Sequence, residues 1–196
     1  VANKEWDVDI ISLPFGFPQR IRGIRNEIRN ALHDGKAVFA AASNDGGNAD
    51  RAFPASQDDV ICVHSTDGLG NTSLFNPTAL SNTDNFCVVG ENVEAAWPSE
   101  TTDKLGGLRR MSGTSVAAAV AVAIAALMIG FVGHNIPEHV GWAIPLKSRD
   151  GIKAIFQTIS ERRNGQYDLV NPIKAFGGGS EDERKKILRD VEARLR

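Results

Sequence analysis

Ser112-Gly113-Thr114-Ser115 stands directly before an unbroken apolar stretch running from Val116 to Gly133. A serine so placed has chemistry open to it. Its hydroxyl is a poor nucleophile until a base takes the proton. At a helix N-terminus, however, free backbone N–H groups and the positive end of the helix dipole face the charge that builds on an attacked carbonyl oxygen. Small neighbours such as Gly113 let a substrate backbone approach. The same tetrapeptide also reads as a plain helix start with Ser or Thr as the cap.

A second segment, Ala40-Ala41-Ala42-Ser43-Asn44-Asp45-Gly46, ends an apolar run in asparagine at a Gly-rich turn. An asparagine amide at a strand end can donate to an oxyanion, and it also tolerates a left-handed turn. A third, Ser12-Leu13-Pro14-Phe15-Gly16, closes an Ile-rich run. Gly16 there would admit an extended substrate, or the segment is simply a strand ending at a Pro-containing turn.

The elements that must hold these residues follow from periodicity. Asp7 to Leu13, Ala37 to Ala42 and Asp59 to His64 read as short strands, the second as apolar as a buried parallel strand. Phe86 to Val89 and Val93 to Trp97 read as two more, after a polar loop from Asn71 to Asn85. Gln19 to His33 places Ile21, Ile24, Ile28 and Leu32 on one helix face, with Gly35 suited to the cap. Gly151 to Glu161 does the same with Ile152, Ile155, Phe156 and Ile159. Gly177 to Gly179 reads as a joint, and Ser180 with Glu183 as a capping box opening a charged helix with Ile187, Leu188, Val191 and Leu195 on a narrow face. Strands alternating with helices predict an α/β fold with a parallel sheet. The division expected is residues 1–176 as the main domain portion and 177–196 as linker and tail helix.

Composition bounds the functions. The 196 residues suffice for one domain with a core, and 42% hydrophobic with 23% charged residues is a globular balance. A net charge of −2 without a basic stripe argues against a nucleic-acid partner. Cys62 and Cys87 form no CxxC and read as two buried thiols, so no metal site is expected. Neither GxGxxG nor a P-loop is present, which disfavours nucleotide binding. Val116 to Gly133 is long enough to span a bilayer, but it is dominated by Ala and reads as the central helix of a water-soluble domain, with no membrane partner.

Taken in order, a strand ending in SLPFG, then AAASNDG, then DVICVHSTDG, then SGTS before an Ala-rich helix resembles the subtilisin-like serine peptidases. The likeness covers roughly Asp7 to Gln166 and is closest to subtilisin-like domains of filamentous fungi. The resemblance implies a three-layer α/β/α fold and peptide-bond hydrolysis through an acyl-enzyme, with a polypeptide substrate and no cofactor. It makes Ser115 the nucleophile and Asn44 the oxyanion donor. It makes Leu13, Pro14, Phe15 and Gly16 the strand that pairs with substrate, and Ala41, Ala42 and Ser43 a wall of the primary specificity pocket. It tilts the compartment towards the cell interior.

The family places its Asp and His before its Ser. His33, His64, His134 and His139 lack the family's His-Gly-Thr setting. The expectation is therefore a C-terminal portion of the domain, lacking N-terminal strands and relying on an upstream segment for Asp and His. Alone it is expected to be inactive. The rival is a degenerate domain that binds peptides or partners without catalysis. Ala118 and Ala119 stand where the family has Ser/Thr-Pro, and Ser43 where it has Gly.

Overall fold

The computed structural model describes residues 5–97, 107–136, 142–163 and 166–196. Strands β1 (Ile10–Leu13), β2 (Ala37–Ala41), β3 (Ile61–Thr66) and β4 (Phe86–Val89) lie side by side and parallel. A hairpin, β7 (Ser160–Arg163) and β8 (Tyr167–Val170), extends the sheet to the order β1-β2-β3-β4-β8-β7. β8 is parallel to β4, and β7 is antiparallel to β8. A separate antiparallel pair, β5 (Val93–Ala96) with β6 (Leu108–Met111), leads into the long helix.

Alternation along the strands divides the core into two layers. Ala37, Phe39 and Ala41 face helix α2 (Thr114–Asn135), helix α3 (Arg149–Ile159) and helix α4 (Glu181–Leu195). Val38, Ala40 and Ala42 face helix α1 (Arg22–His33). The result is the three-layer α/β arrangement. Edge-to-face contacts of Phe156 with Phe39 at 5.8 Å and with Phe86 at 5.3 Å lock α3 to the sheet, each worth about 0.5–1.5 kcal/mol.

The alanines of α2 have a packing reason. Ala117, Ala118, Ala121 and Ala125 are fully buried, and methyl-sized side chains bring the helix axis close to the strands. Gly90 allows the same approach at the helix start, since a Cβ there would lie 2.6 Å from Ser65 Oγ and 2.8 Å from Ala117 Cβ. By length and composition α2 could cross a membrane, and one third of its most apolar window is buried. Its buried side rests on the sheet.

Several boundaries differ from expectation. The first strand begins at Ile10 and α1 at Arg22, leaving Ile21 exposed before it. The C-terminus of α1 is a Schellman turn, with Gly35 at φ 77° donating to the Leu32 carbonyl and Lys36 N–H to Ala31. The helix expected to reach Glu161 stops at Ile159, because Ser160 to Arg163 pair with Val170 to Tyr167 instead. β6, β7 and β8 are four residues each, β7 is wholly polar, and periodicity does not reveal them. The Ser180–Glu183 capping box forms as anticipated, and Val191 and Leu195 are buried in the core shared with α3. Cys62 and Cys87 are free buried thiols, their acidities pushed to about 11 and about 12 by burial.

Candidate active site

The predicted residues gather at the C-terminal ends of the parallel strands. Leu13 closes β1, and Pro14, Phe15 and Gly16 run on exposed from it. Leu13 is in register with Ala40, so that segment leaves the sheet beside Ala41, Ala42 and Ser43, all buried, at the end of β2. Asn44 follows at once. Gly90, just past β4, accepts a 2.8 Å hydrogen bond from Gly113 N–H, and Ser112 Oγ accepts one from Asn92 N–H. These bonds set the start of α2 beside the loop that carries Asn44.

The helix does not begin as the capping rule suggests. Its N-cap is Gly113, with no side-chain cap bond. Ser112 and Thr114 are engaged elsewhere. Thr114 N–H donates to Asn44 Oδ1 at 2.9 Å, and the Thr114 hydroxyl lies 3.0 Å from the same oxygen and 3.2 Å from the Ser43 carbonyl. A backbone N–H can only donate, so its partner on the amide must be the oxygen. Asn44 Nδ2 is thereby turned away from Thr114.

Where Nδ2 points can be read from Gly113. A Cβ on Gly113 would lie 3.1 Å from Asn44 Nδ2 and 3.3 Å from Ser115 Oγ, so one carbon-sized point is flanked by both groups. Gly113 has φ 154°, which L side chains rarely adopt, and leaves that point open. Among the described residues neither Asn44 Nδ2, Ser115 N–H nor Ser115 Oγ has a hydrogen-bond partner. An amide donor and a hydroxyl beside one open point can receive a carbonyl carbon and its developing oxyanion.

Sequence reasoning misses three contributors. Thr114 reads as part of a cap, although it orients the Asn44 amide; its place inside the SGTS motif is the available signal. Gly90 and Arg51 carry none. Arg51 donates to Asn85 Oδ1 at 2.6 Å.

No described histidine serves Ser115. His64 is wholly buried in β3, its Nδ1 3.3 Å from the Phe86 carbonyl and its ring edge-on to Tyr167. Burial, aided by the Arg51 charge, drives its pKa down to about 3. His33 ends α1 exposed and His134 lies near the far end of α2; His139 lies outside the described residues. A cavity of about 880 Å³ opens among residues that precede β3 and β4, including Gln57, Asp58 and Asn85, at the opposite end of the strands from Asn44 and Gly90. Neither Ser115 nor Asn44 lines it.

Comparison with known proteins bears on this arrangement. Residues 2–165 match the subtilase family, peptidase S8. The chain is 31% identical to "Subtilisin-like protease het-Q2" of Podospora anserina over 95% of its own length and 54% of the relative's. It is 32% identical to the "Major intracellular serine protease" of Bacillus subtilis (strain 168) over 58% of its length and 34% of that protein's. It thus spans about half or less of the curated relatives it matches. The fold resembles the prenylagaramide maturation protease PagA with a TM-score of 0.67 at 18% identity, across 96% of this chain and 62% of that one.

Proposed function

This chain belongs to the subtilase family of serine peptidases, and from that premise we propose that it supplies the nucleophile and oxyanion hole of a serine endopeptidase. Ser115 Oγ attacks the scissile carbonyl. The Asn44 amide and the Ser115 N–H hold the oxygen as it becomes negative. The observation that carries this reading is the open point at Gly113, 3.1 Å from Asn44 Nδ2 and 3.3 Å from Ser115 Oγ. Such donors act on charge that appears only in the transition state, so they raise turnover rather than ground-state affinity.

Leu13 to Gly16 pairs with an extended polypeptide substrate, and Ala41 to Ser43 line one side of its primary specificity pocket. Pro14 has no N–H, so one ladder bond to substrate is forgone. The proton acceptor for Ser115 is a histidine oriented by an aspartate. We assign both to a segment outside these 196 residues, which adds to β1 and covers the exposed side of α2. The chain alone is then inactive.

The test uses a longer protein in which this chain follows its natural upstream sequence. A fluorophosphonate should label Ser115, and peptide hydrolysis should vanish in Ser115→Ala. Labelling elsewhere, or hydrolysis surviving in Ser115→Ala, overturns the assignment. A second reading, a peptide- or partner-binding domain without catalysis, is favoured by one observation: Ser115 Oγ meets no base among the described residues. Peptide binding without hydrolysis in the longer protein would establish it.

A further inference from the structure

The two walls of the cleft belong to different strands, and one short segment ties them together. Ala52 N–H donates to the Ala42 carbonyl at 2.7 Å, which fastens the segment to the Ala41–Ser43 wall. Phe53 exchanges two hydrogen bonds with Phe17, at 2.8 and 2.9 Å, which fastens it to the other wall just past Gly16. Contact is close enough that a Cβ on Gly16 would lie 2.5 Å from Ala52 Cβ. Neither wall is bonded to the other beyond Leu13↔Ala40, so their separation depends on where residues 52 and 53 are held.

Arg51, the preceding residue, is itself tied to a buried neighbour. Its Nη2 donates to Asn85 Oδ1 at 2.6 Å and reaches the Asp84 carbonyl at 3.5 Å. Asn85 is a firm anchor. It is 1% exposed, its Oδ1 also accepts from Leu80 N–H, its Nδ2 donates to the Leu80 and Thr83 carbonyls, and its own N–H donates to Asp168 Oδ2. A charged donor on a buried, fully engaged amide makes a strong and directional tie.

We infer that Arg51 is a positioning residue: through Asn85 it fixes residues 52 and 53, and through them the spacing of the walls that receive the substrate. It touches neither substrate nor Ser115. This rests on the cleft assignment proposed above, so the test has one arm that needs catalysis and one that does not.

In the catalysis arm, R51M in the longer protein should raise KM about 10- to 100-fold, the mark of substrate binding lost equally from ground and transition state. Turnover of bound substrate should change little. The kcat/KM preference between a large and a small side chain at the cleaved residue should shrink towards one. R51K, which keeps a cationic donor, should restore part of the preference. A variant with unchanged KM and preference overturns the inference, as does a loss confined to kcat.

In the other arm, hydrogen exchange on the full chain should show the amides of Phe17, Ala52 and Phe53 losing protection in R51M, with Val63 and Val88 unaffected. Where R51M leaves no folded baseline, R51Q decides, since its shorter side chain sets no donor where Nη2 sits: loss of protection at the same three amides supports the tie, and wild-type protection there overturns it. Loss of protection at these amides without peptidase activity would leave the tie standing and remove only the reading of the cleft as a proteolytic site.

Discussion

Thr114 and Asn44 share one oxygen: the Thr114 N–H lies 2.9 Å from Asn44 Oδ1 and the Thr114 hydroxyl 3.0 Å from it. The pair explains why a helix start without a side-chain cap is stable here. The first backbone donor of α2 is satisfied from the neighbouring loop. The same bond occupies the only acceptor of the Asn44 amide and leaves its N–H₂ without a partner among the described residues. One interaction thus joins fold and chemistry, linking residues 70 apart.

Gly113→Ala should block the site without dismantling the fold. Its methyl would occupy the point between Asn44 Nδ2 and Ser115 Oγ, and φ 154° adds backbone strain of about 1–3 kcal/mol. In an active longer form, fluorophosphonate labelling of Ser115 should fall at least 100-fold, about 2.7 kcal/mol in the barrier. The melting temperature should drop by only a few degrees. Normal labelling in this variant would show that the reacting carbonyl sits elsewhere. Asn44→Ala in the same background should lower kcat by about 10²–10³ with little change in KM, a figure that belongs to subtilisin itself.

The 196-residue chain alone should hydrolyse neither casein nor peptides measurably. Ser115 Oγ has no base beside it among the described residues, and His64 is locked in the sheet. Loss of the triad serine or histidine costs about 2 × 10⁶-fold in subtilisin itself, or about 8–9 kcal/mol. Turnover by pure chain that disappears in Ser115→Ala would contradict this, and would mean that the chain carries its own base.

Much of this was legible in the sequence for a physical reason. Apolar runs such as Ala37 to Ala42 and the one-sided pattern Ile152, Ile155, Phe156, Ile159 report burial directly, and burial sets the layers. Motifs such as SGTS and AAASNDG are local, so they survive without a view of the fold. What stayed hidden is long-range and polar. The β7–β8 hairpin is carried by Ser160–Arg163, whose pairing is decided by the partner strand. The Arg51–Asn85 tie spans 34 residues, and nothing near either residue announces it.

His64 gives the fold an acid sensitivity of its own. Its pKa is near 3 in the folded chain and about 6.5 when exposed, so the unfolded state binds more protons between those values. Stability from this group is therefore complete above about pH 6.5, falls as pH drops below it, and levels off only near pH 3. Carboxylates such as Asp84 add their own loss only in stronger acid. Burial there raises the pKa, but hydrogen bonds from Lys153 and Gln157 outweigh it and hold the carboxyl below its usual range. Between about pH 6.5 and 5 His64 therefore contributes a slope of its own. His64→Phe should flatten denaturant-derived stability across that window. An identical slope in both proteins would show that some other group is responsible.

The last prediction concerns the surface beside β1. Among the described residues that strand pairs only with β2 and ends the sheet, so its other edge meets no described strand around Ile10 and Ile11. Next to it, α2 buries one side and leaves Ala119, Ala123, Ala126 and Leu127 outward, Leu127 at 60% exposed. An open strand edge beside an apolar helix face is a template for another chain. The 196-residue chain should therefore self-associate at micromolar concentration and exchange its Ile10 to Leu13 amides readily. Supplying the upstream segment in trans should suppress both effects, and with Asp and His aboard it should restore peptide hydrolysis. Size-exclusion chromatography with hydrogen exchange provides the check. A monodisperse monomer that melts cooperatively, with Ile10 to Leu13 strongly protected, would mean that the edge needs no partner, and the assignment of an upstream segment to this face would fall with it.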